Sequence, residues 1–336
     1  MTHLARRTIL AAAVAGLLST SLGVAGSGAA SAAPRTATRA CTVTTLPFPA
    51  DVYRAEASAV DPTGRFVAGT ALRRGEESNQ LFLLVWRQGR LTTVESPLAD
   101  SVADVNSHGV VVGNGWAEGR NRPWVYRNGT FELLPSPSGS AGATAINAAG
   151  DIVGSGEEAG TGRQLALRWP AARPGTVEVL DVPATAWALG VTRDGTVVGT
   201  SGDWETARWS GWARYLDGRR ESLTVPGARS VNVDAAEGHW AVGRVDLGGS
   251  DQMRVRWDLR DRSWSRLADE LPWVADVNAR GVVVGGDRVV RGGDSRVLPG
   301  GGDRIGVGAS AIADTGAIVG FRNDHGRVTP VRWTGC

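Results

Sequence analysis

A turn motif followed by a short aliphatic run and a glycine recurs seven times along the chain. This repeat restricts the folds that the chain can adopt. Each copy has an aliphatic residue, then in most copies Asn, Asp or Thr, then a short variable stretch and Gly, as in residues 146–150 (INAAG). The aliphatic run that follows ends at a second glycine, the closing glycine. The closing glycines are Gly69, Gly113, Gly154, Gly199, Gly243, Gly285 and Gly320. Their separations are 44, 41, 45, 44, 42 and 35 residues.

A spacing of this length is typical of a β-propeller blade, which consists of four short antiparallel strands. Strand A ends at the Asn or Asp, which forms a type I turn together with the glycine. Strand B is the aliphatic run, strand C carries a recurring aromatic residue, and strand D ends near a proline. The residues at the recurring strand C position are Trp86, Tyr126, Trp169, Tyr215, Trp257 and Trp333, with Arg291 in the sixth copy. We expect them to fill the interfaces between blades.

Two copies depart from the motif. In the fifth, Val233-Asp234 reaches Gly238 with one extra residue, so Asp234 is predicted to be the turn residue. In the last, Ala313 stands where the other copies have a side chain that can accept a hydrogen bond.

The two ends of the repeat array complement each other. The seventh copy stops after strand C, whereas residues 41–47 (CTVTTLP) resemble the strand D segment 90–97 (RLTTVESP) of the first copy. The sequence therefore predicts an all-β fold, a seven-bladed β-propeller with four short strands per blade, whose last blade is completed by the N-terminal strand. Cys41 and Cys336 lie on the two sides of this seam, and a disulfide is expected between them; a reactive thiol or a metal pair are the alternatives.

The N-terminus has the pattern of an export signal. Two arginines at positions 6 and 7 precede an apolar run, and Ala30-Ser31-Ala32 offers a cleavage site. We predict a signal peptide over residues 1–32, a linker over 33–40, and a single propeller domain of seven repeats over 41–336. The alternative is a membrane anchor, but the apolar run is shorter than a span requires. The export route, general secretion or twin-arginine, stays open.

The charge balance of the secreted chain argues against two classes of partner. Removal of residues 1–32 takes away two of the 36 basic residues and none of the 34 acidic ones, which leaves equal numbers. A neutral chain lacks the excess positive charge that nucleic acids and anionic membrane surfaces select. We therefore expect no nucleic-acid partner and no polybasic membrane patch. After signal cleavage we expect a secreted monomer without a membrane span. No metal or cofactor motif is present, and we expect no cofactor.

The repeats resemble those of the bacterial extracellular HAF-repeat family. The resemblance covers nearly all of residues 41–336 through the spacing of the copies and the turn motif, although no copy contains the His-Ala-Phe triplet. The resemblance implies an extracellular repeat fold, and it brings no established activity or catalytic residues with it.

Four tryptophans fall outside the repeat pattern and are candidates for ligand binding. Trp187 and Trp273 each lie five residues before a turn residue, which predicts a place at the mouth of the central channel. Trp116 and Trp204 follow strand B, in the B–C loops. Exposed indole rings on such a rim suit stacking on sugar rings or anchoring of a peptide. The favoured function is a non-catalytic secreted module that presents this loop face to a glycan, a cell-wall polymer or a protein.

The alternative is an extracellular propeller enzyme of the glycosidase or lyase type. Its acid and base would come from carboxylates at the channel mouth, and the candidates are Glu56, Glu118, Glu157 and Asp203. Two other acids, Asp104 and Asp276, occupy a strand A position that is otherwise Ala, Gly or Asn. We expect these two to bond backbone groups between blades.

Overall fold

The computed structural model describes residues 40–336 except positions 76–77, 138, 184, 204, 207, 249–251 and 303–304. The predicted signal peptide, most of the predicted linker, and Trp204 lie outside the described residues. The described residues form β-strands joined by turns and loops, and none of them is helical. In this part of the chain, accordingly, no helix of the length and apolar character needed to cross a membrane is found.

Each repeat forms four strands, for which we keep the letters A to D. The strands before the second repeat are β1 (Thr42–Thr45), β2 (Arg54–Val60), β3 (Phe66–Arg74), β4 (Asn79–Arg87) and β5 (Arg90–Glu95). The next two repeats form β6 (Ser101–Val105), β7 (Val111–Ala117), β8 (Arg120–Arg127) and β9 (Thr130–Leu133), then β10 (Ala141–Ile146), β11 (Ile152–Glu157), β12 (Gln164–Trp169) and β13 (Glu178–Val179).

The fourth and fifth repeats form β14 (Ala186–Val191), β15 (Val197–Asp203), β16 (Arg208–Arg214) and β17 (Arg220–Leu223), then β18 (Ser230–Glu237), β19 (Trp240–Asp246), β20 (Gln252–Asp258) and β21 (Ser263–Arg266). The sixth forms β22 (Asp276–Val277), β23 (Val283–Gly285), β24 (Arg288–Arg291) and β25 (Asp294–Val297). The last forms β26 (Ile305–Ile312), β27 (Ile318–Asp324) and β28 (Arg327–Thr334).

The second to sixth repeats each make a separate four-stranded antiparallel sheet, and the first and last share one eight-stranded sheet. In the shared sheet, a single parallel residue pair, Arg54 with Val328, joins β2 to β28. On the same edge, opposite β27, residues Val331–Thr334 of β28 pair antiparallel with β1, so the N-terminal strand supplies the fourth strand of the last repeat, as predicted. The predicted disulfide between Cys41 and Cys336 is also confirmed.

The asparagine of the A–B turn has two roles. The Oδ1 atom of Asn147 accepts a 2.9 Å hydrogen bond from the Asp151 N–H and so stabilises its own turn. Its Nδ2 group donates a 3.2 Å bond to the carbonyl of Thr192, the turn residue of the following repeat. Equivalent bonds between repeats run from Asn106 to Asn147 and from Asn278 to Ala313. The turn residue therefore also links neighbouring sheets, which the turn motif alone does not reveal.

The turn of the fifth repeat differs from the prediction. Asp234 is not its turn residue; it lies at a β-bulge in β18, between Val233 and Ala235. Glu237 takes the turn position instead, and it pairs with Trp240 across a two-residue hairpin loop. The prediction was wrong because the A–B hairpin of this repeat has a shorter loop than the others, so its turn begins three residues later, at Glu237. Val233-Asp234 matches the turn motif in sequence but lies within strand A.

The closing glycines all make the same close approach to strand A. A Cβ atom on Gly154 would lie 1.9 Å from the carbonyl oxygen of Gly142, so no side chain fits there. In every repeat the added Cβ would come within 2.2 Å of a strand A carbonyl. The carbonyls belong to Glu56, Ser101, Gly142, Trp187, Asn232, Trp273 and Gly308.

Buried indole rings fill most interfaces between neighbouring repeats. Trp86, Trp169, Trp257 and Trp333 are buried and donate their Nε1 hydrogens to the carbonyls of Pro47, Pro135, Thr224 and Pro299, respectively. These carbonyls lie near the end of the preceding strand D segment, so each ring both packs and bonds across an interface. The structural role predicted for these aromatic residues is thus confirmed.

In two repeats the sequence alignment of this position needs correction. The fourth repeat has Arg214 at the equivalent pairing position, while Tyr215 lies in the turn that follows β16. The sixth has the buried Val290 there, and Arg291 is the next residue. In the second and fourth repeats the buried rings are Trp124 and Trp212, which lie opposite closing glycines on strand B.

Candidate functional site

The A strands of all seven repeats line one central cavity of about 150 Å³. Six of these strands contain a β-bulge, which turns one extra side chain toward the cavity. The bulge residues are Ser58, Ala103, Thr144, Leu189, Asp234 and Ser310. The bulge, absent from the sequence pattern, therefore decides which side chains face the centre of the molecule.

Two buried carboxyl groups in this cavity bind the next A strand. Asp104 accepts hydrogen bonds from the backbone N–H groups of Val105 (2.7 Å) and Ile146 (2.9 Å). Asp276 accepts them from Val277 (2.7 Å) and Ile312 (2.8 Å). The prediction that both acids bond backbone groups between repeats is confirmed.

The cavity raises the pKa of its carboxyl groups. Burial is the main cause, and it raises the pKa of Asp104 to about 7 and that of Asp276 to about 8, against the opposing effect of their backbone hydrogen bonds. Burial likewise raises the pKa of Glu237 to about 7 and that of Asp234 to about 6. The negative charge of Glu237 adds to the upward shift of both Asp104 and Asp276.

The small volume of the central cavity limits the size of ligand that it can hold. Sites for small molecules have volumes of roughly 300–1,000 Å³, so the central cavity is too small for a sugar chain or a peptide. The described residues contain no group of three or more His, Cys, Asp or Glu side chains that could hold a metal ion. Since Asp104 and Asp276 each accept two backbone hydrogen bonds, their role is to join neighbouring repeats.

A larger groove lies on the face that carries the B–C and D–A loops, between the sixth and seventh repeats. Its volume is about 540 Å³. Its lining comes from the D–A segment with Pro272 and Trp273, the glycine-rich segment 299–302 and the start of β26. The B–C hairpin with Gly286 and Asp287 also lines it. We call this the Trp273 groove.

Trp273 is held in place by its backbone. Its carbonyl packs against Gly285, and its ring lies close to Gly286, whose added Cβ would be 3.7 Å from Cη2 of the indole. The side chain is nevertheless 53% exposed. A large apolar ring is thus fixed at the edge of a groove and open to solvent, an arrangement suited to stacking on a flat ligand.

The other candidate tryptophans lie elsewhere. Trp187 is half-buried on β14 and packs edge-on against Trp209 of its own sheet, with ring centroids 5.5 Å apart. Trp116, at the end of β7, is 64% exposed, and its backbone N–H donates to Asp100. Neither lines the central cavity or the Trp273 groove. The structure therefore does not bring Trp116, Trp187 and Trp273, the three candidates among the described residues, into one site.

The four candidate carboxylates are also spread over different repeats. Glu56 on β2 forms an ion pair with Arg54 at 2.9 Å. Glu118 lies in the loop after β7 and forms ion pairs with Arg120 and Arg122. Glu157 ends β11, and the exposed Asp203 ends β15 and accepts a bond from the Glu205 N–H. None of the four lines the central cavity or the Trp273 groove.

Comparison with known proteins identifies the fold. Neither a family model nor a curated protein sequence matches the chain. The β-propeller domain of the Trilobed protease from Pyrococcus furiosus has a TM-score of 0.64 at 11% identity, with 85% of this chain and 96% of that one covered. A prolyl endopeptidase follows with 0.57 at 12% identity, and the acylaminoacyl peptidase of Pyrococcus horikoshii with 0.51 at 11% identity. The matches cover 84% and 82% of this chain but only 51% of each peptidase chain. At these identities the likeness concerns the fold alone, and it establishes an all-β chain of the β-propeller type.

Proposed function

We propose that the protein is a secreted, non-catalytic binding module, which presents the face with the B–C and D–A loops to a glycan, a cell-wall polymer or a protein. The observation that carries this proposal is the Trp273 groove. It has the volume of a ligand site, it opens on the loop face, and a half-exposed indole ring forms its edge. Binding residues concentrate on such loops when a rigid scaffold positions them.

The scaffold in this proposal is a seven-bladed propeller. The single pair Arg54–Val328 is a weak link between β2 and β28, so the eight-stranded sheet divides naturally into two blades of four strands. The contribution of seven A strands to one cavity supports the same count. The spacing of the copies is consistent with membership of the HAF-repeat family, and we include that membership and a monomeric state in the proposal.

Secretion is supported by the disulfide and by the N-terminal sequence. Disulfides persist in oxidising compartments, and Cys41–Cys336 joins the first and last strands of the fold. Residues 1–32 have the composition of a cleaved export signal. Together they favour an extracellular protein stabilised at the seam of its ring.

A binding role is favoured over catalysis by the position of the acidic groups. A glycosidase needs two carboxyl groups that converge on one bond within roughly 5–10 Å, on a site large enough for the substrate. The carboxyl groups with raised pKa lie in the small central cavity, where Asp104 and Asp276 are engaged by backbone N–H groups. The Trp273 groove is lined by one acidic residue of the described part, Asp287.

The test is a binding assay with the exported, signal-cleaved protein on purified polymers: cellulose, chitin, peptidoglycan and the producer's own cell-wall polysaccharide. Trp273→Ala is compared with Trp264→Ala, a matched control, because Trp264 is also exposed (39%) but lies on the outer strand β21. We expect retention on at least one polymer, lost in Trp273→Ala and kept in Trp264→Ala. Release of soluble fragments from any polymer would replace the binding role with the enzymatic alternative. Absence of binding to every polymer and to secreted proteins of the producer would overturn the proposal.

A further inference from the structure

We infer that the Trp273 groove binds an uncharged pyranose ring of a glycan, stacked on Trp273 and in close contact with the backbone at Gly302 and Gly306. This inference rests on the proposed binding function and names the ligand class of the same site. Three independent features of the groove support it: the indole ring, two glycines that the fold does not require, and the charge of the lining residues.

The repeat fold does not require a large side chain at the position of Trp273. The equivalent position is occupied by Glu56, Ser101, Gly142, Asn232 and Gly308 in five other repeats, so the repeat does not require a large ring there. The fourth repeat has Trp187, whose ring packs against Trp209, whereas the ring of Trp273 is exposed. An exposed Trp beside a groove offers a flat apolar face of the size of a sugar ring. A pyranose with equatorial hydroxyls presents a flat face of C–H groups, which matches such a surface.

Gly302 and Gly306 are the second feature. Most glycines in the described part have a structural reason: either a positive φ, as at Gly300 (+105°), or a close neighbour, as at Gly154. Gly302 and Gly306 have neither, because their φ angles are not positive and an added Cβ would meet no atom of the described residues within 4 Å. Both are exposed and both line the Trp273 groove. Glycine in such a place lets a ligand approach the backbone closely.

The third feature is the charge of the groove, which favours neutral sugars over acidic ones. The one charged side chain among the described residues of the groove is Asp287, whose own carbonyl accepts a 2.8 Å bond from the Leu298 N–H and so fixes the hairpin that carries it. A carboxylate accepts hydrogen bonds from sugar hydroxyls but repels a uronate or another acidic sugar. The apolar residues Pro272, Leu298 and Pro299 complete the lining and favour a ring without charge.

The test measures affinity by isothermal titration calorimetry with cellohexaose and chitohexaose as neutral probes and hexagalacturonate as the acidic one. We expect a neutral hexasaccharide to bind, and Trp273→Ala to weaken it by about tenfold or more, the loss typical of an aromatic anchor. Gly306→Ala should weaken binding by about as much while the unfolding midpoint stays unchanged, because the new methyl group meets the ligand and no atom of the described residues. Trp264→Ala should bind like the unsubstituted protein.

Each alternative outcome has a defined meaning. Normal binding by Gly306→Ala, or tighter binding of hexagalacturonate than of both neutral probes, would overturn this inference. A neutral sugar that binds equally well to Trp273→Ala also overturns it, since the sugar then binds elsewhere. If all three probes fail but a polymer or protein is retained in a Trp273-dependent way, the ligand class is wrong and the binding function stands. Asp287→Asn completes the set: it should reduce the discrimination against hexagalacturonate.

Discussion

Asp104 and Asp276 occupy the same position of strand A in two different repeats, two residues before the turn residues Asn106 and Asn278, and each binds the A strand that follows. Their carboxyl groups are buried, and burial opposes ionisation more strongly than the backbone N–H donors favour it. The same two side chains therefore join neighbouring repeats and make the stability of the ring sensitive to pH.

The first prediction concerns that pH dependence. The folded pKa values of about 7 for Asp104 and about 8 for Asp276 lie above the ordinary value of 3.8, so the folded state binds protons more tightly than the unfolded chain. The stabilisation is fully present below about pH 4 and is lost as the pH rises to about 8, with a slope of up to about 1.4 kcal/mol per pH unit for each group. Glu237 and Asp234 act in the same direction.

Urea denaturation between pH 4.5 and 8.5 measures this effect. We expect the free energy of unfolding to fall as the pH rises, and to fall less steeply in Asp276→Asn, which cannot ionise but keeps one acceptor oxygen. A free energy that rises over this interval, or an Asp276→Asn curve parallel to that of the unsubstituted protein, would contradict the assignment.

The second prediction concerns the link between repeats made by Asn147. Replacement by Ala leaves the partly buried Asp151 N–H without its acceptor and removes the inter-repeat donor to the buried Thr192 carbonyl, which keeps its bond from the Gly195 N–H. We expect a loss of about 2–3 kcal/mol in the free energy of unfolding. Asn79→Ala, at an exposed position on β4, is the control and should change stability by less than about 0.5 kcal/mol. Equal stability of the two variants would show that the inter-repeat bond contributes nothing.

Much of this fold could be predicted because its determinants are local. The turn residue, the closing glycine and the aliphatic run lie within ten residues of one another. The complementary ends at Cys41 and Cys336 can be recognised from the sequence alone. The errors arose where a single shift in register changes the role of a residue. In the fifth repeat a shorter hairpin turned Asp234 into a bulge residue, and in the fourth the pairing moved from Tyr215 to Arg214.

The candidate site was less predictable because it is built from distant segments. The Trp273 groove combines two D–A segments with a B–C hairpin. Among its described lining residues, Trp273 alone departs from the repeat pattern of the sequence. Gly302 and Gly306 could not be distinguished among the 46 glycines of the chain until their φ angles and surroundings were known. Trp187 had the same signal as Trp273, but its ring packs against Trp209.

The third prediction uses the difference between two kinds of glycine. The Cβ of Gly154→Ala would lie 1.9 Å from the carbonyl oxygen of Gly142, so β10 and β11 must separate to admit it. We expect a loss of about 3 kcal/mol or more in the free energy of unfolding. Gly306→Ala, where the methyl group meets no atom in the described part of the chain within 4 Å, is the matched control and should leave the denaturation midpoint unchanged. If Gly154→Ala were as stable as Gly306→Ala, the shared close approach of the closing glycines would not be what requires them.

The last prediction concerns the seam of the ring. The disulfide between Cys41 and Cys336 closes a sequence separation of 295 residues, for which loop entropy gives a stabilisation of roughly 5 kcal/mol as an upper value. Without it, β1 is held by its pairing with β28, by the Leu46 N–H bond to the Pro330 carbonyl and by the contacts of Val43 in the core beside Trp333.

We expect reduction, or the double replacement Cys41→Ser/Cys336→Ser, to lower the free energy of unfolding. We also expect it to increase the rate of amide exchange in β1 much more than in the rest of the chain. Hydrogen exchange followed by mass spectrometry, with β10 as an internal reference, reads this directly. The double variant should be insensitive to reductant. If β1 and β10 gained exchange to the same extent, the disulfide would act on the whole ring, because loss of the N-terminal strand would then expose the edge of β28 and unfold the remaining repeats together.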